Sequence, residues 1–244
     1  MDWEKDGLVI LRDFVPHNLI DAYAQARGTV PVRWDFPTPY MHEKTILDLC
    51  CWKPLTDQLT ALLGEEPLLH LNLTAFVSTQ RAWHQDAYLN ADEVGDYYAA
   101  AWMALDDIDP RSGPFEFVRG SHRWPDRLSR DDAMAMATDE ERAHPEWYIK
   151  WPNWTEGKVG AYWQEQIDSR QSEIERFIPA TKGDVLIWSP WLVHRGSVPE
   201  VQGMERRSLI SHFSGVNHRS DMQERSRHED GGQFAVIHTA QLVQ

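Results

Sequence analysis

The chain has 244 residues, 42% of them apolar, and carries a formal charge of −14 from 38 acidic and 24 basic side chains. That length suits one domain with a substantial core. The negative surface repels phosphate backbones and anionic lipid, so neither nucleic acid nor a membrane is expected as a partner.

The first expected element is a short strand at residues 8–11, followed by a helix that Pro16 opens and Gly28 stops. Leu19, Ala22, Tyr23 and Ala26 share one face of that helix. Cys50 and Cys51, the only cysteines, are adjacent, which argues against a disulfide framework. A second helix is predicted from Pro54 to Leu63, closed by Gly64, with Leu55, Leu59 and Leu62 as its apolar stripe. From His70 the period becomes two. Leu71, Leu73, Ala75 and Val77 alternate with a mostly polar set, so the polar face is expected to line a wet cavity. Further strands are expected at 97–105, 115–118, 184–188 and 207–213, separated by turn signals such as Ser112-Gly113-Pro114 and Lys182-Gly183-Asp184. A helical insertion is expected between 124 and 177, with capping boxes at Thr138-Asp139-Glu140-Glu141 and at Ser129 with Asp132. Val159, Tyr162, Trp163, Ile167, Ile174 and Phe177 continue its period. Short punctuated strands favour a mainly β sandwich or barrel in a single domain over alternating βαβ units. The charged start and the lack of any run of ~20 apolar residues lead to the expectation of a cytoplasmic protein.

The chemistry concentrates in His84-Gln85-Asp86. In extended backbone, residues i and i+2 point the same way, so His84 and Asp86 can bind one metal together. Two histidines and a carboxylate suit iron(II) with coordination positions left open. A second His-x-Asp, His228-Glu229-Asp230, sits in a polar run ending in Gly231-Gly232 and is read as a solvated tail. His194, between an apolar strand and a Gly-Ser turn, is either the third ligand or a core histidine bonded to a carbonyl.

The ordered blocks across residues 67–215 resemble the phytanoyl-CoA dioxygenase family of iron(II)/2-oxoglutarate-dependent oxygenases. They are His84-Gln85-Asp86, Ala101-Trp102-Met103-Ala104-Leu105-Asp106-Asp107, Ser112-Gly113-Pro114-Phe115-Glu116-Phe117-Val118-Arg119-Gly120-Ser121-His122, Lys182-Gly183-Asp184-Val185, His194-Arg195-Gly196-Ser197 and Arg206-Arg207-Ser208-Leu209-Ile210-Ser211-His212-Phe213. The resemblance implies a double-stranded β-helix, the jelly roll also seen in cupins. It implies iron held by His84, Asp86 and His194, with 2-oxoglutarate and O2 as cosubstrates. The far carboxylate of 2-oxoglutarate then needs a guanidinium. Matching backwards from Phe213 assigns that role to Arg206, while the adjacent Arg207 faces the other way. Trp102 matches an aromatic close to 2-oxoglutarate, or is a core tryptophan. Gln85 matches a residue that contacts the cosubstrate in some members. Ser197 is a further contact, although the family often has its serine where this chain has Gly196. Arg119 and His122 are assigned to fixing a turn.

The expected reaction is hydroxylation of an unactivated carbon of a small-molecule metabolite, with release of succinate and CO2. Related halogenases have a small residue at the position of Asp86, which this chain does not. Alternatives are a non-catalytic metal- or metabolite-binding jelly roll, and a zinc-dependent hydrolase or isomerase. The rings of the insertion are either an aromatic lid over the site or packing against the barrel. Exposed tryptophans there would suit a homodimer contact, and the oligomeric state stays open.

Overall fold

The computed structural model describes residues 1–29 and 38–238. Ten strands run in chain order: β1 Leu8–Leu11, β2 Pro67–Ala75, β3 Tyr98–Ala104, β4 Phe115–Phe117, β5 Glu175–Phe177, β6 Val185–Trp188, β7 His194–Gly196, β8 Ser208–Gly215, β9 Arg225–Arg227 and β10 Gln233–Ala235. Seven form a large sheet in the order β1-β6-β3-β8-β2-β10-β9, and three a small sheet in the order β5-β4-β7. Helices α1 Trp3–Asp6, α2 His17–Thr29, α3 Lys44–Cys50 and α4 Lys53–Leu63 precede β2. Helices α5 Arg130–Ala135, α6 Asp139–Arg142 and α7 Trp147–Ser169 form the insertion. Among the described residues no helix is long and apolar enough to cross a membrane.

The alternation of β3 builds two cores at once. Tyr98, Ala100, Trp102 and Ala104 face the small sheet and meet Phe115, Phe117 and Phe177. Ala99, Ala101 and Met103 face the helices and pack with Tyr23, Ile46, Leu55 and Leu59. A central strand covered on both sides is buried along its whole length, as β3 is. The N-terminal segment is pinned to the barrel at Gly183-Asp184. Asp184 accepts the Asp13 and Ala180 amides at 2.8 Å each and pairs with Arg12. Gly183 has φ +91, and a Cβ there would lie 2.7 Å from the Val15 carbonyl.

Several expectations are corrected. Strand β2 does not keep its leucines on one face: Leu69 stays in the core with the helices. A register shift between Leu69 and Leu71 turns Leu71 and Leu73 toward a cavity. Asn72 instead is buried on the helical side, where its Oδ1 accepts the Tyr40 amide at 2.8 Å. The insertion ends at Ser169, not 177. Gln171 adopts φ 51 and breaks the helix, and Phe177 then pairs with Phe115 in the small sheet. Both capping boxes form as read. His228 lies in the β9–β10 hairpin rather than a tail, buried and 2.9 Å from Asp48 Oδ1. Helix α3, capped by Glu43, was not anticipated.

The rings of the insertion pack rather than line a site. Trp151, Val159, Trp163 and Ile167 form a third core with Trp83, Tyr88, Val118 and Val193. Trp83 Nε1 donates to Gln164 Oε1 at 3.0 Å. None of the insertion's tryptophans is exposed, whereas Tyr148 is. At Gly160, α7 approaches so closely that a Cβ would lie 2.6 Å from the Cβ of Ala82. Gly160→Val should therefore cost about 1–3 kcal/mol by overpacking, measured as a lower urea midpoint at unchanged slope.

Candidate metal centre

The centre is built on one β-bridge. His84 and His194 stand opposite each other and exchange two backbone hydrogen bonds, each 3.0 Å long. Directly opposed residues project their side chains to the same face, so the imidazoles lie side by side with ring centroids 4.2 Å apart. The Nδ1 of His84 bonds the Ala82 carbonyl at 2.8 Å, and that of His194 bonds the Leu192 carbonyl at 2.9 Å. Both bonds place the proton on Nδ1 and leave the Nε2 lone pairs free, the arrangement a metal requires.

Asp86 follows His84 by two residues but is not extended. Its φ and ψ, −85° and −19°, start the turn Ala87–Leu89, and its amide is anchored on the Pro190 carbonyl at 2.9 Å. Its Oδ1 lies 3.7 Å from His84 Nε2 and its Oδ2 3.8 Å from His194 Nε2. One ligand atom from each of the three lies within 4.8 Å of the others. Oδ2 also accepts from Trp188 Nε1 at 2.9 Å, which orients the carboxylate. All three side chains are buried. Burial lowers the pKa of both histidines, so both are neutral and able to ligate at neutral pH. Phe115 stacks on the His194 ring at 5.1 Å.

Arg206 lines the same cavity as the triad, together with Trp102, Leu73 and Ile210. It is only 2% exposed. Nη1 donates to the Gly113 carbonyl and Nε has no partner. No carboxylate of the described residues pairs with it. Burial pulls its pKa down to about 10, so it remains charged at neutral pH. A buried, unpaired guanidinium costs several kcal/mol unless an anion joins it, and here the missing anion has a cavity to enter. Trp102 Nε1 is likewise buried without a partner. The Trp102 ring both faces that cavity and packs edge-on against Phe177. The adjacent Arg207 is exposed and pairs with Glu205. The donor set therefore fits a divalent iron, and the orphaned guanidinium fits the far carboxylate of 2-oxoglutarate.

Two expected cosubstrate contacts point elsewhere. Gln85 projects to the opposite side of its segment and donates to the Trp191 carbonyl at 2.6 Å. The Ser197 hydroxyl donates to the Pro114 carbonyl at 2.7 Å. Neither lines the cavity. Arg119 and His122 are structural, bonded to Glu175 and to the Glu4 carbonyl. Residues the sequence reading passed over do line it, notably Thr79, Arg81 and His212. His212 was detectable, since Ile210 and His212 on β8 share a parity with Arg206 just before it. Arg81 carried no such signal.

Fold and site together define a jelly-roll protein with a two-histidine, one-carboxylate metal centre. A model of the Phytanoyl-CoA dioxygenase (PhyH) family matches residues 41–198, well over half the chain, and the chain belongs to that family. No curated protein matches the sequence. Among solved structures, the non-heme alpha ketoglutarate dependent epimerase SnoN from nogalamycin biosynthesis aligns over 88% of this chain and 80% of its own, at 17% identity and TM-score 0.60. EctD from S. alaskensis, crystallised with 2-oxoglutarate and 5-hydroxyectoine, aligns over 89% and 75%, at 17% identity and TM-score 0.59. HygX from Streptomyces hygroscopicus, with nickel and 2-oxoglutarate bound, aligns over 98% and 94%, at 14% identity and TM-score 0.59. At such identities the likeness establishes the shared fold.

Trp188→Phe removes the hydrogen bond to Asp86 while keeping an aromatic ring, and should weaken metal binding about 10–100-fold, read by competition with a chelating dye. Buried His212, brought down to about 4, supplies a pH effect. The unfolded chain takes up this proton near pH 6.5 and the folded chain only near 4. Stability is thus full above pH 6.5 and falls as pH drops, by up to about 1.4 kcal/mol per pH unit per group. Metal-free His212→Gln protein should lose about 1 kcal/mol less than wild type between pH 7.5 and 5.5 in urea titrations.

Proposed function

We propose that the protein is an iron(II)- and 2-oxoglutarate-dependent dioxygenase that hydroxylates an unactivated carbon of a small-molecule metabolite. The single observation that carries this is Arg206, a buried cation with no anionic partner among the described residues, on the cavity of a His84–Asp86–His194 cluster. A storage protein or a zinc hydrolase needs the three ligands but has no use for the fourth charge. HygX and EctD are structures with 2-oxoglutarate bound, which supports the same cosubstrate here.

The Nε2 atoms of His84 and His194 and a carboxylate oxygen of Asp86 would hold the iron. With 2-oxoglutarate, bound iron supplies oxygen activation coupled to decarboxylation of the cosubstrate to succinate and CO2. The chain's part is placement. Arg206 takes the far carboxylate through charge-assisted hydrogen bonds, and the unpartnered Trp102 Nε1 offers one more donor. Leu73, Ile210 and Phe115 provide apolar walls that keep water from the reacting end. Trp188 and the two backbone carbonyls fix the ligands so that little reorganisation is needed. Hydroxylation is preferred to halogenation because Asp86 supplies the carboxylate ligand that chloride would have to replace. The fold by itself does not set the outcome, since the SnoN structure is that of an epimerase.

Anaerobic addition of iron(II) and 2-oxoglutarate should give the weak visible charge-transfer band of the chelate. A protein that retains zinc tightly and shows no band would be the hydrolase instead. Asp86→Ala should abolish both the band and succinate formation. Arg206→Gln should keep the metal but raise the half-saturating 2-oxoglutarate concentration about 100-fold, from loss of about 2–3 kcal/mol of charge-assisted bonding. Unchanged saturation would remove Arg206 from the cosubstrate site.

A further inference from the structure

A second cavity meets the first at Leu73, Arg81, Asp86 and His212. It lies on the side of the metal centre that Arg206 does not reach, since Arg206 lines only the first cavity. Two clefts sharing one metal ligand divide naturally into a cosubstrate pocket and a substrate chamber.

The wall of this chamber has a definite chemistry. Arg81 and Arg219 both line it. Arg81 bonds only through Nε, at 3.3 Å to Glu156, and neither of its Nη nitrogens has a partner among the described residues. Arg219 is held by Asp221 through two 2.8 Å bonds. Glu156 and Asp221 sit partly in water, their side chains 29% and 47% exposed, so their charges are screened. The only carboxylate among the lining residues is Asp86, and that is the metal ligand. His70 and His212 face the same space and are kept neutral by burial. Tyr98 bonds His212 Nδ1, while His212 Nε2 is buried with no partner. With the tyrosine hydroxyl donating, that Nε2 carries a proton and offers a donor. Leu71, Leu73, Leu89 and Met222 complete the wall with aliphatic surface.

We propose that this chamber binds the substrate, and that the substrate is a small free carboxylic acid with an aliphatic body, its acid group held by the unbonded Nη atoms of Arg81. The inference rests on the oxygenase reading and narrows it. Two guanidiniums and an orphaned donor recognise an acceptor-rich anion, and the leucines cover a carbon skeleton. Arg81 borders both cavities, which places the acid group at the metal end of the chamber.

Wild-type protein is loaded anaerobically with iron(II) and 2-oxoglutarate, and the visible band confirms loading. Butyrate, hexanoate and their amides are then titrated by calorimetry. The acids should bind with millimolar Kd or better, at least about tenfold tighter than the amides, with the band retained. Arg81→Gln should load normally and lose that preference, and Arg81→Lys should recover part of it. The proposal is overturned if a protein showing the band binds no acid at about 50 mM, well above the Kd expected, or prefers the amides. It is also overturned if the acids erase the band by displacing the cosubstrate. Loss of the band in Arg81→Gln would assign that arginine to 2-oxoglutarate instead. Absence of the band from wild type removes the oxygenase reading, and this inference with it.

Discussion

The pair of backbone hydrogen bonds joining His84 to His194 is the constraint from which the site follows. Two residues more than a hundred apart in sequence are made direct neighbours, and their rings have one direction to go. The same device repeats on both: each Nδ1 bonds the carbonyl two residues earlier, at Ala82 and at Leu192. Neither imidazole can turn without breaking such a bond. The bridge is itself held from several directions. Asp86 is tied to Pro190, Ser78 to Ser197 at 2.6 Å, and Val193 to Ser121 Oγ at 2.8 Å. Behind the loop, α7 presses Gly160 onto Ala82 and clamps Trp83. The tryptophan-rich insertion therefore serves the metal centre by immobilising the segment that carries His84, without lining the cavity.

Electrostatically the site is the inverse of the molecule around it. The chain is strongly acidic, yet its buried cavity collects Arg206, Arg81 and Arg195. Arg195 is neutralised by the buried Glu116, which also holds Arg176. Arg206 is not neutralised, and its burial without a counterion destabilises the cosubstrate-free protein. The same unfavourable term becomes binding energy once a carboxylate arrives, because the guanidinium has already been desolvated and oriented. A protein optimised for stability alone would place a leucine or methionine here. The neutral histidines around the metal add to this trade, since each resists the proton that the unfolded chain would accept in mild acid. Acid sensitivity and an empty-handed arginine are both consequences of keeping the centre ready for its ligands.

Much of the scaffold could be read from local chemistry because local chemistry decides it. Pro54 and Gly64 bracket α4 as expected of a first-turn proline and a left-handed cap with φ 75. Thr138 and Ser129 cap their helices through bonds that depend on nearby residues only. The metal triad was legible for a different reason: ligand chemistry admits few residue types, and the order of blocks along the chain supplied the third partner. What escaped depends on distant partners. Strand β9, Arg225-Ser226-Arg227, has no strand propensity and exists because β10 pairs with it. Strand β5 follows a helix and was absorbed into its period, although Phe177 belongs beside Phe115. Gln85 and Ser197 were assigned by family position, and their side chains satisfy main-chain carbonyls that no pattern reveals. Arg81 is an ordinary arginine in a polar loop until the fold brings it to Asp86.

The most instructive reversal is in β2, where the alternation was correct and the side was not. Leu69, Leu71 and Leu73 share a parity, and an unbroken strand would send all three the same way. The irregularity between Leu69 and Leu71 separates them. Leu69 stays in the core with the helices, while Leu71 and Leu73 turn into the barrel. One extra residue in one strand thus satisfies two packings at once. It also brings His70 to the cavity beside Leu71, giving the chamber adjacent polar and aliphatic walls from a single strand. Asn72 and Thr74 are displaced to the helical side, where Asn72 finds Tyr40 and Thr38. A bulge in this position converts an ordinary amphipathic strand into one wall of a binding site, and it does so without changing a single residue type in the pattern.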